Sequence, residues 1–96
     1  MFKEIAAQKV QEMQEEDAVN VVDIRDPGSF ADGHIPNAVS LNDGNVKEYI
    51  ENTDKEKPLV VCCYHGNSSR GAAEYLSQNG FKEVYSMTGG FDAWPD

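Results

Sequence analysis

The residues in this chain able to do covalent chemistry gather at Cys63-Tyr64-His65-Gly66-Asn67-Ser68-Ser69-Arg70-Gly71. Cysteine attacks as its thiolate, and the thiolate is favoured where backbone N–H groups, a helix N-terminus or a cation face the sulfur. This stretch offers all three. Gly66 lets the backbone turn closely around a bound atom, Ser68 and Ser69 bring hydroxyls that donate or cap a helix, and His65 and Arg70 are candidate local cations. Cys63 is the nucleophile of this reading, and Tyr64, His65, Gly66, Asn67, Ser68, Ser69 and Arg70 line the site. The bland alternative is that Cys63 ends a strand as a small buried hydrophobe.

Two elements must position that cysteine. The apolar run Leu59-Val60-Val61-Cys62, introduced by Pro58, reads as a buried strand, and Ala72, Ala73 and Leu76 recur at helical spacing. The loop is therefore a strand-to-helix turn, which in open α/β sheets lies at the carboxyl ends of the strands, where ligands bind and helix-start N–H groups attract anions. Two-residue alternation turns Cys62 to the opposite strand face, into the core.

The remaining pattern repeats strand and helix. Phe2 to Ile5 is a short edge strand, and Ala6, Val10 and Met13 give one face of an amphipathic helix. Ala18 to Ile24, with Val19, Val21 and Val22, is an interior strand. Asp23, Arg25 and Asp26 at its end suit an ion pair that orders the next loop rather than a catalytic carboxylate pair. Pro27 and Gly28 break the strand, and Ser29 to Asp32 makes at most a helical turn. His34, beside Gly33, is read as a structural hydrogen-bonder.

Ala38 to Leu41 is a brief strand, and Asn42 to Asn45 is turn chemistry that also caps a helix at Val46 to Glu51, with Val46, Tyr49 and Ile50 inward. The helix after the cysteine loop ends at Asn79-Gly80, with Gly80 left-handed and Phe81 touching Leu76 in a Schellman closure. Glu83 to Met87 is the last strand, and Thr88-Gly89-Gly90 turns into a short helix whose Phe91 and Trp94 cover the sheet near the cysteine loop. Alternating strands and helices specify an α/β fold, a central parallel sheet with helices on both faces and right-handed crossovers. Strand order does not follow from the pattern.

Composition bounds the function. The 96 residues, 40% of them hydrophobic, suit a single domain over 1–96 with one modest core. With 17 acidic against 8 basic residues the net charge is −9, which opposes nucleic acid and anionic membranes as partners. No apolar leader segment or long apolar stretch is present, so the expected compartment is the cytoplasm. Adjacent cysteines make a poor disulfide framework, and Cys62, Cys63 and His65 a poor metal site, since structural zinc wants four ligands.

Several separated motifs together are similar to a known family. Val22-Asp23-Ile24-Arg25-Asp26 with Phe30 and Gly33-His34-Ile35-Pro36-Asn37-Ala38 resembles the paired signature of rhodanese domains, with Asn37 where glycine is usual. Gly89-Gly90-Phe91-Asp92-Ala93-Trp94 resembles the family's closing element, and Cys63 opens what looks like its active-site loop. Cys63 to Ala73 is especially similar to the small single-domain thiosulfate sulfurtransferases of the GlpE type. The resemblance spans essentially the whole chain.

It implies a rhodanese-like fold and transfer of a sulfane sulfur from thiosulfate, through a Cys63 persulfide, to cyanide, a thiol or a thioredoxin-like dithiol protein, with no cofactor. Many family members carry Arg or Thr in place of Ser68, so anion recognition here leans on backbone N–H groups and hydroxyls. Arg70 stands outside the usual short loop and is expected to steer the dianion by its charge. Two rival readings stand beside this one. A cysteine-dependent phosphatase shares the cradle but needs Cys-x5-Arg, and position 69 is serine with the arginine one residue later. A catalytically silent rhodanese-like binding module is the other.

Overall fold

The computed structural model describes residues 1–95. Five strands and four α-helices alternate: β1 (Lys3–Ile5), α1 (Ala7–Glu15), β2 (Asn20–Asp23), α2 (Pro27–Asp32), β3 (Val39–Ser40), α3 (Val46–Asn52), β4 (Leu59–Cys62), α4 (Ser68–Gln78) and β5 (Val84–Met87), followed by a 3-10 helix at Gly90–Ala93. All strands are parallel, in the order β1-β5-β4-β2-β3. The cysteine-bearing strand β4 is thus central, and β1 is an edge as its sequence implies.

Every residue of β4 is buried, and alternation sorts its side chains between two cores. Val60 and Cys62 join Ile5, Ala7, Val10, Val21, Ile35 and Met87 on one face, against which Phe91 and Trp94 pack. Leu59 and Val61 join Val22, Leu41, Ala73, Leu76, Phe81 and Val84 on the other, under α3 and α4. Each fully buried aliphatic side chain is worth about 1.5–3 kcal/mol relative to exposure. The strand that delivers Cys63 is therefore held from both sides, and helices cover both faces.

Local chemistry accounts for most boundaries. The end of α4 is a complete Schellman motif: Gly80 has φ +102°, its N–H bonds the Ser77 carbonyl at 3.3 Å, and the Phe81 N–H bonds that of Leu76 at 3.4 Å. Asn37, standing where the family pattern has glycine, has φ 66°, a left-handed conformation that asparagine tolerates better than most residues.

Four local expectations are corrected. Ala6 is exposed and serves as the extended N-cap of α1, so Ala7 takes the core position beside Val10. The strand does end before Pro27, but Pro27 and Gly28 start a helix that exceeds the single turn expected over Ser29 to Asp32. Proline at the first helical position loses no hydrogen bond, and the Asp26 carboxylate caps the Ser29 N–H at 2.9 Å, so α2 runs for six residues from Pro27. The Asn45 side chain bonds the Asn42 N–H at 2.8 Å and the Ser40 carbonyl at 2.8 Å, closing its own turn instead of capping α3. Finally, α4 begins at Ser68, so Ser68, Ser69 and Arg70 belong to its first turn.

Candidate active site

Cys63 follows β4 and points away from the Cys62 face, toward the start of α4. Its side chain is almost fully covered, at 3% exposure. Two N–H donors and one hydroxyl converge on its sulfur. The Gly66 N–H lies 3.1 Å and the Ser69 N–H 3.3 Å from Sγ. The Ser69 hydroxyl oxygen, also 3.3 Å away, accepts from the thiol. Burial alone opposes ionisation, but the Ser69 hydroxyl and the N–H groups of Ser69, Gly66 and His65 outweigh it and bring the Cys63 thiol below its ordinary range. Burial pushes the Cys62 thiol the other way, up to about 12, with the Asp23 carboxylate adding to the effect. Two neighbouring cysteines thus acquire opposite acidities from opposite strand faces.

Four carbonyl oxygens of the loop are engaged by partners other than the sulfur. The Cys63 carbonyl accepts the Phe91 N–H at 2.7 Å and the Tyr64 carbonyl that of Asp92 at 3.2 Å. The Gly66 carbonyl accepts Arg70 Nε at 3.4 Å, and the Asn67 carbonyl the Arg70 N–H at 3.3 Å. Glycines make this packing possible. A Cβ on Gly66, at φ +94°, would sit 2.8 Å from the Gly89 nitrogen, and one on Gly90 would sit 2.5 Å from the carbonyl oxygens of Cys63 and Tyr64. The closing Gly89-Gly90-Phe91 element is therefore the outer wall of the cysteine loop.

The side chains of Tyr64, His65, Asn67 and Arg70 point outward and are tied to neighbours. The Tyr64 hydroxyl donates to Asp26 Oδ2 and lies 3.1 Å from Ser29 Oγ, joining the loop to the start of α2. Tyr64 foremost, then Ser29, holds the Asp26 carboxyl down to about 2. His65 Nδ1 lies 2.6 Å from Asp92 Oδ2, with both side chains exposed. Arg70 NH2 donates to Asn67 Oδ1 at 2.9 Å, and its Nε lies 3.9 Å from Glu4. Ser68 is exposed on the first turn of α4. His65 and Arg70 thus stand at the rim beside carboxylates, and the groups facing the sulfur are two N–H groups and a hydroxyl.

Beneath the site, Arg25 makes a bidentate pair with Asp23 at 2.8–3.1 Å, donates to the Gly33 carbonyl at 2.7 Å and lies 4.2 Å over the Phe91 ring. Both side chains are buried. The Asp23-Arg25 motif therefore pins the Gly33 turn and the closing element together, the ordering role its sequence suggests. His34 stacks on Phe30 at 3.8 Å and its Nδ1 bonds the Phe30 carbonyl at 2.7 Å, a structural engagement within α2 and its exit. A hollow of about 490 Å³ is lined by Ile24, Leu41, Val46, Ala72, Tyr75 and Leu76 among others and lies beside α4 rather than over Cys63. Among the described residues, no group of three or more His, Cys, Asp and Glu is placed to hold a metal ion.

One residue against the site escaped sequence reasoning. Ser86 in β5, only 1% exposed, has its hydroxyl 2.7 Å from that of Ser69. The available signal was a lone serine inside the apolar strand Val84-Tyr85-Ser86-Met87, where an unpartnered hydroxyl would be costly.

The arrangement surrounds the Cys63 sulfur with oriented dipoles that favour its anion over the thiol. A family model described as "Rhodanese-like domain" matches residues 6–96. The chain is 48% identical to a protein named thiosulfate sulfurtransferase GlpE from Shewanella oneidensis, over 97% of this chain and 92% of that one. It is 52% identical to the protein of that name from Ectopseudomonas mendocina, over 97% and 84% of the two chains. The fold is similar to the crystal structure of a rhodanese-like domain protein from Staphylococcus aureus, with TM-score 0.85 and 28% identity over 99% of this chain and 93% of that one. No described helix is long and apolar enough to cross a membrane.

Proposed function

The chain belongs to the rhodanese-like domain family, and we propose that it is one such domain over residues 1–96 acting as a thiosulfate sulfurtransferase, with Cys63 as the nucleophile. The observation that carries this reading is the convergence of the Gly66 N–H, the Ser69 N–H and the Ser69 hydroxyl on Cys63 Sγ at 3.1–3.3 Å. The relatives named thiosulfate sulfurtransferase, at 48% and 52% identity, support the choice of donor.

The Cys63 thiolate attacks the outer sulfur of thiosulfate. A bond forms between Sγ and that sulfur, the sulfur–sulfur bond of thiosulfate breaks, and sulfite leaves with the electron pair. The fixed N–H dipoles favour the thiolate before the step and the persulfide anion after it, without reorganising. No separate base is required while the cysteine is already ionised. Cyanide then attacks the outer sulfur, forms thiocyanate and returns the thiolate. A thioredoxin-like dithiol protein acts in the same way: one thiolate takes the sulfur as a persulfide, and the second displaces hydrosulfide to close a disulfide.

Tyr64 to Ser69 form the loop around the transferred sulfur, chiefly through backbone, and Arg70 braces the loop while placing a positive charge at its rim. This chemistry suits the cytoplasm, where thiols stay reduced. The test is thiocyanate formation from thiosulfate and cyanide, run beside hydrolysis of p-nitrophenyl phosphate. Sulfur transfer without phosphatase activity is expected, because Ser69 sits against the sulfur where a phosphatase would place its arginine. Phosphatase turnover alone would overturn the reading, and inactivity in both assays would favour a binding module.

A further inference from the structure

A hydroxyl pair lies behind the nucleophile on the side away from the loop's exposed rim. Ser69 Oγ is 3.3 Å from Cys63 Sγ and 2.7 Å from Ser86 Oγ, and both serines are completely or almost completely buried, at 0% and 1% exposure. They come from different elements, Ser69 from the first turn of α4 and Ser86 from β5.

The direction of the hydrogen bonds follows from what each group can donate. A protonated Cys63 donates to Ser69 Oγ. A thiolate has no proton to give, so the Ser69 hydroxyl must turn and donate to the sulfur. Its own oxygen is then left to accept, and the neighbour at hydrogen-bond distance is the Ser86 hydroxyl. We propose that Ser86 is a positioning residue for sulfur transfer: its hydroxyl donates to Ser69 Oγ and so holds the Ser69 proton on the charged sulfur of Cys63. A donor that is itself a hydrogen-bond acceptor is polarised and binds an anion more strongly, an effect enlarged in a dry interior.

The other titratable groups on the elements around the sulfur are Cys62, on the opposite face of β4 and pushed up to about 12, Tyr64 bonded to Asp26, Tyr85 of β5 bonded to Glu83, and the rim pairs His65–Asp92 and Arg70–Glu4. None of them is altered by changing Ser86. The role rests on Cys63 reacting as a preformed thiolate, so the experiment reads both things separately.

Iodoacetamide alkylation of Cys63, mapped by peptide mass, is followed against pH in the parent protein, Ser86→Ala and Ser86→Thr, with kcat/KM for thiosulfate measured over the same range. For Ser86→Ala the alkylation midpoint is expected to rise by about half a pH unit. Alkylation and kcat/KM then fall about threefold below the midpoint and recover at alkaline pH. Ser86→Thr, which keeps the hydroxyl, is expected to stay near the parent. An unchanged midpoint in folded Ser86→Ala, or a loss equal at every pH, overturns the proposal while leaving the thiolate reading intact. An ordinary thiol titration in the parent protein overturns both. Should Ser86→Ala not fold, the nearly isosteric Ser86→Cys, a weaker donor, must also raise the midpoint, and an unshifted value there has the same force against Ser86.

Discussion

The carbonyl oxygen of Cys63 accepts the N–H of Phe91 at 2.7 Å, so the residue carrying the sulfur is fastened through its backbone to the last helical element of the chain. That bond turns the Cys63 carbonyl dipole away from the pocket. Gly90 stands between the two, and a Cβ there would lie 2.5 Å from the Cys63 and Tyr64 carbonyl oxygens. Gly90→Ala is accordingly expected to push the loop off the closing element. Its φ of +61° adds strain, so stability should fall by about 1–3 kcal/mol and sulfur transfer by more than the unfolded fraction explains. Urea unfolding and steady-state rates on the same preparation check this, and parent-like kinetics in Gly90→Ala would contradict it.

Arg25 makes the complementary connection from below. It is buried, paired to Asp23 through two nitrogens, bonded to Gly33 and stacked on Phe91. Arg25→Ala leaves Asp23 as an uncompensated buried charge and is expected to cost about 3–5 kcal/mol. Arg25→Lys keeps the charge but loses the planar fork, and should fall between parent and alanine variant. Chemical denaturation reads both, and a lysine variant as stable as the parent would show that charge alone suffices.

The two cysteines are expected to respond oppositely. Cys63→Ser should abolish sulfur transfer with the fold intact, since a serine oxygen cannot carry the sulfane sulfur. Cys62→Ser should retain activity and lose stability by about 1–3 kcal/mol, because it places a hydroxyl in an apolar core. Circular dichroism with thiocyanate assays distinguishes them, and equal loss of turnover in two folded variants would defeat the assignment.

Acidity and stability are linked through the same sulfur. The Cys63 thiol has a lower pKa folded than unfolded, so the folded state favours the anion. The resulting stabilisation is fully present above the unfolded thiol value of about 8.5 and disappears as pH falls through the folded one. The stability of the parent relative to Cys63→Ser should therefore rise with pH across that window. Cys62, raised to about 12, works in the opposite sense: its contribution is complete below the unfolded thiol value and is lost as pH climbs toward the folded one. Urea midpoints measured from mildly acidic to mildly alkaline pH give the slope, and a flat difference for Cys63→Ser would mean that the cradle does not favour the thiolate.

Arg70 stands at the rim with Asn67 and the Gly66 carbonyl as partners and Glu4 nearby at 3.9 Å. Its charge is exposed and partly offset, so Arg70→Ala should raise the thiosulfate KM a few-fold while changing kcat less, and added salt should shrink the difference over a Debye length of about 8 Å. An unchanged KM at low salt would leave the backbone N–H groups as the anion receptor.

Much of this was legible from residue order because the determinants are local. Alternation along Leu59 to Cys62 separates the two cysteines onto opposite faces, and Asn79-Gly80-Phe81 forms the Schellman closure its residues suggest. Other features depend on contacts distant in sequence or on reading one signal two ways. Pro27 reads rightly as ending the strand region, but that it also begins a helix shows only with the Asp26 cap in place. Which serine faces the sulfur depends on where α4 starts, and the helix register selects Ser69 over Ser68. Ser86 touches Ser69 only because β5 pairs beside β4, and Arg25 meets Phe91 only through the folded closing element. The strand order β1-β5-β4-β2-β3 likewise arises from pairings that no local pattern encodes.

The central claim is that Cys63 carries the transferred sulfur, and the most direct measurement is peptide mass after brief treatment of the native protein with thiosulfate, followed by cyanide. The account predicts the gain of one sulfur atom on the peptide containing Cys63, its retention in Cys62→Ser, its absence in Cys63→Ser, and its complete removal by cyanide with an equal amount of thiocyanate formed. A sulfur retained in Cys63→Ser, or no persulfide in a parent protein that still turns over thiosulfate, would contradict it.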